Sequence, residues 1–308
     1  MRENQSKTPK VAVIMSTYNG EKYIREQIES IFLQKGVFVH LYVRDDGSTD
    51  STKTILLDAQ AKYKNIRLYF ESNVGVGNSF MKCLYNAGEE YDFYAFSDQD
   101  DIWLSEKLTK AIELLEEKNK ELYCSNQLCI DQNGNVIGMR YAAIPKYGVL
   151  DCLTNNMISG CTFVFSKKLY KVINSHKASE ELLRKRIHDV WVAEIAALSD
   201  CLIYDKKSYI LYRQHDNNVV GAYTDNRIMS RLKRKYKKIN NPEKRNGRSA
   251  LAKEIYKKFP EFRENEIIKY AAFADTFCGK LDLIKNRKLF TENSSALEFV
   301  MYVVAGLY

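Results

Sequence analysis

The sequence predicts an α/β protein: a Rossmann-like, mostly parallel sheet flanked by helices, with a helical C-terminal extension. Three observations carry this. Short apolar runs lead into polar turns and then amphipathic stretches, four times in succession, the pattern of right-handed crossovers in a parallel sheet. The first run, Val11-Ala12-Val13-Ile14-Met15, shows no alternation, as expected of a strand covered on both faces. From Arg227 onward the pattern is helical, which divides the chain into a motif-bearing domain, 1–222, and a basic helical region, 223–308.

The first strand ends in Ser16-Thr17-Tyr18-Asn19-Gly20, and the helix after it carries Tyr23, Ile24, Gln27, Ile28, Ile31 and Phe32 along one stripe. A second strand, Phe38 to Arg44, runs into Asp45-Asp46-Gly47-Ser48-Thr49-Asp50-Ser51 and a helix with Ile55, Leu56 and Ala59. The third, Ile66 to Phe70, passes through Asn73-Val74-Gly75-Val76-Gly77-Asn78 to a helix with Phe80, Met81, Leu84 and Tyr85. The fourth begins at Asp92 and ends in Asp98-Gln99-Asp100-Asp101-Ile102-Trp103, again before a helix. Beyond Lys120, Leu122 to Ile130 and Val136 to Arg140 flank Asp131-Gln132-Asn133-Gly134, a hairpin signal. Ile158 to Phe165 reads as a strand with Gly160 marking a bulge or close approach. A helix over Val190 to Leu198 is apolar nearly all round, with His188-Asp189 at its start, and Tyr209 to His215 is a further strand.

Ligands of parallel sheets bind outside the carboxyl ends of the strands, where all four polar turns emerge. Asp98, Asp100 and Asp101 converge there. Carboxylates are too costly to bury unpaired, so a core strand that delivers three of them is holding them for a cation. Oxygen ligands suit magnesium or manganese rather than zinc or copper, and phosphates of a substrate commonly fill the open positions. The competing reading is an acidic turn capping the next helix, which accounts for one or two of the three.

Composition narrows the classes. At 308 residues with 45% hydrophobic and 12% aromatic content, the chain supports a sizeable core. Its 7 cysteines include no Cys-x-x-Cys pair, which argues against a zinc ribbon or dithiol redox site. Met1 to Lys10 is polar and resembles no signal peptide, so the expected location is cytoplasmic. The longest apolar run, Phe299 to Tyr308, is about half of what a spanning helix needs, leaving a soluble or membrane-apposed protein. The net charge of +8 concentrates in the C-terminal helices rather than over the sheet, against a nucleic-acid partner. Thr17-Tyr18-Asn19-Gly20 is no dinucleotide fingerprint, Gly75-x-Gly77 lacks a third glycine, and a Gly-Lys-Ser/Thr phosphate loop is absent. A dehalogenase-like phosphatase would place its Asp pair on the first strand, and a pyrophosphorylase would carry a Gly- and Arg-rich loop there.

What fits is a nucleotide across the strand ends with its diphosphate on a divalent ion. Asp45 and Asp46 would accept from a base N–H and a ribose hydroxyl, Thr17 and Tyr18 would line the base slot, and Asp98 would hold the ribose. Asn19 and Asn78 complete the nucleotide set, and Asp100 holds the metal.

Val-Ile-Met-Ser-Thr-Tyr-Asn-Gly at 13–20, Arg-Asp-Asp-Gly-Ser-Thr-Asp at 44–50 and Ser-Asp-Gln-Asp-Asp-Ile-Trp at 97–103 resemble family 2 glycosyltransferases of the GT-A fold. His188-Asp189-Val190-Trp191 and Tyr212-Arg213-Gln214-His215, with Asn218 and Gly221, look like the family's bacterial rhamnosyltransferase branch. The similarity spans about residues 9 to 222. It implies inverting transfer of a sugar from a nucleoside diphosphate to an acceptor hydroxyl, metal-dependent with Mn2+ or Mg2+. The branch points to L-rhamnose from dTDP-rhamnose, and to a saccharide or lipid-linked saccharide acceptor in cell-surface polysaccharide assembly. A UDP-hexose donor is the alternative within the family; a non-catalytic nucleotide-sugar-binding or scaffold protein is the alternative of another class.

Carried over by position, Asp98-x-Asp100 matches the D-x-D element, Asp189 the catalytic base and His215 a further metal or diphosphate contact. Arg213, Gln214 and Trp191 are the expected diphosphate or acceptor contacts. Arg44 stands where a hydrophobic residue is more usual, a departure expected to touch the strand rather than the site. Between Arg227 and Arg248, eight further Lys and Arg residues flank an apolar stripe of Ile228, Leu232, Tyr236 and Ile239, opposed by Glu243 alone. This reads as docking to an anionic membrane surface, or as internal packing; the apolar end from Leu297 to Leu307 would add a foothold or a homodimer contact.

Overall fold

The computed structural model describes residues 8–215, 246–291 and 296–306. The chain forms two compact units, one of Met1–Pro145, Ile158–Ser175 and Asp200–Ala222, the other of Lys146–Met157, His176–Ser199 and Tyr223–Tyr308.

In the first unit the predicted alternation is realised as β1 (Lys10–Thr17), α1 (Ile24–Phe32), β2 (Phe38–Asp45), α2 (Thr52–Lys62), β3 (Ile66–Phe70), α3 (Val76–Tyr85) and β4 (Phe93–Ser97). After β4 come a short β5 (Ile102–Trp103), α4 (Lys107–Lys118), β6 (Leu122–Ser125), β7 (Leu128–Ile130) and β8 (Val136–Met139). β9 (Val164–Ser166), α6 (Lys167–Ser175), β10 (Leu202–Asp205) and β11 (Ile210–Arg213) complete it. The seven-stranded sheet runs β10-β6-β9-β4-β1-β2-β3. β1 is parallel to β2 and β4 on either side, so the chain order reverses about it, which opens a crevice at the carboxyl edge. Thr17 pairs with Asp45, and Met15 with Ser97. That register brings the polar turns after β1, β2 and β4 out along one edge.

Both faces of β1 are covered, as its unbroken apolar run demands. Ile24, Ile28 and Ile31 of α1 and Leu108, Ala111 and Leu115 of α4 join Val11, Val13, Met15, Leu41 and Val43 in one core. Each Val, Leu, Ile or Met side chain so removed from water contributes about 1.5–3 kcal/mol. Elsewhere in the unit the packing is aromatic: Tyr94 stacks on Tyr170 at 4.0 Å, and Phe80 meets Phe96 edge-on at 5.6 Å.

β9 is the reversed strand, antiparallel to both β4 and β6. The strand expected from Ile158 is thereby shortened: Gly160–Thr162 form a 3-10 turn instead. Thr162 Oγ1 donates to the Ser159 carbonyl at 2.7 Å, and the Phe163 N–H closes onto Gly160 at 2.8 Å, bonds that compete with a strand ladder. A second sheet, β5-β11-β7-β8, grows from the expected hairpin, whose turn closes with Asp131 N–H donating to Asn135 at 2.9 Å. Pairing of β11 with β5 carries Arg213 alongside the acidic loop.

The second unit is helical: α5 (Val149–Asn155), α7 (Glu180–Lys185), α8 (His188–Leu198), α9 (Gly247–Lys258), α10 (Glu266–Ala271), α11 (Phe277–Lys285) and α12 (Ala296–Val304). Every residue of α8 from His188 to Ala196 is buried, as its all-round apolar sequence requires. Glu254 of α9 accepts from both the N–H and the hydroxyl of Ser179, which caps α7. Residues 227–245, which hold nearly all of the basic stretch read as membrane docking, lie outside the described residues. No described helix is long and apolar enough to cross a membrane.

Candidate active site

The turns after β1 and β2 are zipped together by side-chain-to-backbone bonds. Thr17 Oγ1 donates to Asp45 at 2.9 Å, and Asp45 also accepts the Ser48 N–H at 3.0 Å. Asn19 adopts the left-handed conformation at φ 49°, donating its N–H to Ser48 Oγ and accepting the Thr49 N–H, each at 2.9 Å. Gly20 donates to Thr52 Oγ1 at 2.8 Å. Asp46 is buried, accepting the N–H groups of Val74 and Gly75 at 2.9 and 3.0 Å and pairing with Arg44. Asn78 is buried at the start of α3, its amide donating to the Val74 carbonyl at 3.2 Å. Tyr18 is half exposed at the rim.

The expectation that Arg44 concerns only the strand is corrected. Its guanidinium is enclosed and bonded to Asp46, Glu71, Ser79 and the Ser72 carbonyl, so it sits beneath the rim itself. The sequence also conceals Gln99. Its side-chain amide accepts the Tyr18 N–H at 3.0 Å and donates to the Tyr18 carbonyl at 3.1 Å, linking the first turn to the acidic loop.

That loop hangs from two polar residues of α1, Gln27 and Ser30, and from Gln34 just past its end. Gln27 donates to Ser97 at 2.7 Å, Ser30 accepts the Trp103 N–H at 3.0 Å, and Gln34 donates to the Leu104 carbonyl at 2.8 Å. Gln27, placed by the periodicity in an apolar stripe, is in fact a buried ligand of the loop. Asp101 is fully buried and accepts the backbone N–H of Arg213 at 3.1 Å. Burial, then the charges of Asp100 and Asp98, push its carboxyl well above the usual range. Lys107, equally enclosed, lies 3.8 Å over the Trp103 ring, and burial pulls its ammonium down to about 7 against the opposing pull of Cys161 and Asp101. Neither Asp101 Oδ2 nor Lys107 Nζ finds a hydrogen-bond partner among the described residues.

Asp100 Oδ2 and His215 Nε2 lie 2.8 Å apart. That distance is a hydrogen bond; because two ligands of an octahedral divalent ion also stand about 3 Å apart, the pair could hold such an ion in exchange for the bond. Asp98, Asp101 and Cys161 also offer ligand atoms within 4.8 Å of one another. Arg213, expected as a diphosphate or acceptor contact, is bonded to the chain: Nε donates to the Asp100 carbonyl at 3.0 Å, Nη1 to the Gln132 carbonyl at 3.3 Å and Nη2 to Glu26 at 2.6 Å. These bonds tie Arg213 to the acidic loop. Gln214 is tied through its N–H to the Ile130 carbonyl at 2.8 Å.

In the second unit Asp189 stands in the first turn of α8, next to His188, which burial drops to about 3 and so keeps neutral. The contact assigned to Trp191 is corrected: its ring is fully buried, 6.0 Å from Phe259, and presents no face to a sugar.

Comparison with known proteins agrees with these motifs. The Glycosyl transferase family 2 model matches residues 12–173. The chain is 33% identical over 237 residues to the dTDP-rhamnosyl transferase RfbG of Shigella flexneri, covering 73% of this chain and 78% of that protein. It is 30% identical to the putative teichuronic acid biosynthesis glycosyltransferase TuaG of Bacillus subtilis, over 51% of this chain and 61% of the relative. Among solved structures, S. aureus TarS 1-349 in complex with UDP-GlcNAc superposes with a TM-score of 0.58 at 19% identity, covering 97% of this chain and 88% of that one. The mannosyltransferase PcManGT of Pyrobaculum calidifontis, in complex with GDP-Man and Mn2+, does so with a TM-score of 0.51 at 16% identity, covering 98% and 86%. The sheet order, the three strand-end motifs and the match over more than half of the chain agree: this chain belongs to glycosyl transferase family 2, with the GT-A fold.

Proposed function

We propose that this glycosyltransferase moves L-rhamnose from dTDP-rhamnose, with inversion, to an acceptor hydroxyl of a growing lipid-linked cell-surface polysaccharide. The observation that best supports a diphosphate-sugar site is the Asp100–His215 pair at the end of β4, on the same edge as Thr17, Asp45 and Asp46. Similarity to the Shigella rhamnosyl transferase supports the donor, and similarity to the putative teichuronic acid enzyme supports the polysaccharide setting.

In this reading Asp100 and His215 hold Mn2+ or Mg2+, which when bound neutralises charge on the departing diphosphate. Asp45, Asp46, Thr17 and Tyr18 seat the base and Asp98 the ribose. Asp189, assigned by its position in the family motif, accepts the proton of the acceptor hydroxyl as the new bond forms. The test is donor turnover with dTDP-rhamnose against UDP-hexoses and GDP-mannose, for the intact chain and for Asp189→Asn. Turnover of dTDP-rhamnose that falls ~10²-fold in the variant, with donor affinity kept, is expected. Preference for GDP-mannose removes the rhamnose assignment, binding without turnover points to a scaffold, and an unaffected variant removes the base.

The basic stretch up to Arg248 supports peripheral docking on an anionic bilayer, worth about 1 kcal/mol per charge near the surface. Sedimentation with anionic liposomes tests it: binding should be lost at high salt, and salt-indifferent or absent binding assigns the stretch to internal packing.

A further inference from the structure

We propose that Arg44 is a specificity-determining positioning residue, which sets the donor-base preference by locking Asp46 to the loop Glu71–Gly75. This rests on the reading that Asp46 borders the nucleotide base.

The Arg44 side chain is 1% exposed. Nε donates to Glu71 at 3.2 Å, Nη1 to Ser79 Oγ at 3.0 Å and to Asp46, and Nη2 to the Ser72 carbonyl at 2.9 Å. Enclosing a guanidinium costs several kcal/mol before its partners are counted, and well-packed apolar residues often replace buried ion pairs without loss. Its neighbour on the same face of β2 is the buried, uncharged Tyr42, so the strand carries no other charge there. What the arginine adds is geometry. It ties the end of β2, the loop after β3 and the start of α3 to one rigid planar group.

The consequence falls on Asp46. A carboxylate has about four acceptor directions. Arg44 and the Val74 N–H occupy Oδ1, the Gly75 N–H occupies one direction of Oδ2, and the backbone N–H of Asp46 is fixed on the Thr17 carbonyl at 2.8 Å. One acceptor direction on Oδ2 is left, and the carboxylate cannot turn to offer another. A fixed acceptor matches a base that presents a ring N–H, as thymine and uracil do. It opposes cytosine, whose corresponding nitrogen is itself an acceptor. Without Arg44 the carboxylate can reorient or take in water, and the discrimination relaxes.

The experiment is titration calorimetry of the intact chain with dTDP, UDP and CDP, for the wild type, Arg44→Met and Glu71→Gln, with thermal melting alongside. In the wild type, dTDP and UDP should bind more tightly than CDP. Arg44→Met should shrink that ratio by ~10-fold, with the loss in turnover assays appearing in donor KM rather than kcat. Glu71→Gln, half exposed at the rim, removes one arm without touching the core and should shift the ratio the same way by ~3-fold. It decides the matter if Arg44→Met does not fold. A lowered melting temperature with the wild-type ratio intact in either folded variant overturns the proposal and leaves Arg44 a structural residue. A wild type that binds none of the three nucleotides overturns the underlying nucleotide reading, and the proposal with it.

Discussion

At the ends of β1 and β2, Asp45 and Asp46 have their oxygens committed to the chain itself, on Thr17, Ser48, Val74, Gly75 and Arg44. At the end of β4, Asp101 keeps one buried oxygen, and Lys107 its buried ammonium, with no hydrogen bond among the described residues. Both corners belong to one unit and one sheet edge, and both are enclosed by the same core. A buried polar group left unmatched costs about 1–3 kcal/mol, so it persists where another function is served. The first corner is therefore a preassembled mould, whereas the second leaves polar atoms unmatched among the described residues. A divalent ion with its diphosphate is the candidate that the acidic residues fit.

The largest expected effect comes from removing the carboxylate beside the second corner that pairs with His215. Asp100→Ala deletes the partner of His215 and should lower transfer by ~10²–10³-fold while abolishing manganese-dependent nucleotide binding. Asp100 is partly exposed, so the melting temperature should move little. Near-wild-type turnover in a folded variant would mean that the contrast between the corners has nothing to do with a metal.

A smaller effect is expected beneath that corner. Lys107→Met removes a buried ammonium that makes no hydrogen bond among the described residues but feels the charges of Asp101 and Cys161. Asp101 in turn positions the Arg213 backbone, two residues before His215. Groups one layer behind metal ligands typically change affinity 10–100-fold, so manganese should bind ~10-fold more weakly. A buried carboxyl can neutralise by taking up a proton, so melting should shift by only a few degrees. Unchanged metal affinity with a collapsed melting temperature would make Lys107 a packing residue and erase the distinction drawn above.

The comparison also explains what could be read from the sequence. Strand-end turns follow from apolar runs and polar interruptions that are local in the chain, so the sheet edge and its strand-end motifs were legible. Partners were not. Whether Arg44 lies inside or outside depends on Glu71 and Ser79, which are 27 and 35 residues away. That Arg213 is bonded to Glu26, 187 residues earlier, could not be read from its own motif. Gln27 fits an apolar stripe by spacing alone; only the place of Ser97 shows that a buried amide is wanted there. Trp191 carried a plausible sugar contact by motif, but an all-apolar helix encloses whatever it bears. The periodic signal reports which face is covered, not what covers it.

The smallest predicted effect tests the strap between the two corners. Gln99 of the acidic loop grips both backbone groups of Tyr18, and a Cβ added at Gly20 would stand 2.4 Å from Gln99 Oε1. Gly20→Ala must therefore displace the amide. Because the Tyr18 groups are near solvent, water can replace what is lost, and the cost should be about 1 kcal/mol rather than a full desolvation penalty. Gln99→Ala removes the same bonds and should cost about as much. The double variant separates a strap from two independent defects. Once Gln99 is truncated nothing remains for the new Cβ to strike, so the pair should cost no more than either single change, a coupling of about 1 kcal/mol measurable by urea denaturation. Additive losses would show that Gly20 and Gln99 act separately. In that case the mould and the acidic loop are held in register by the sheet alone, through the pairing of β1 with β4.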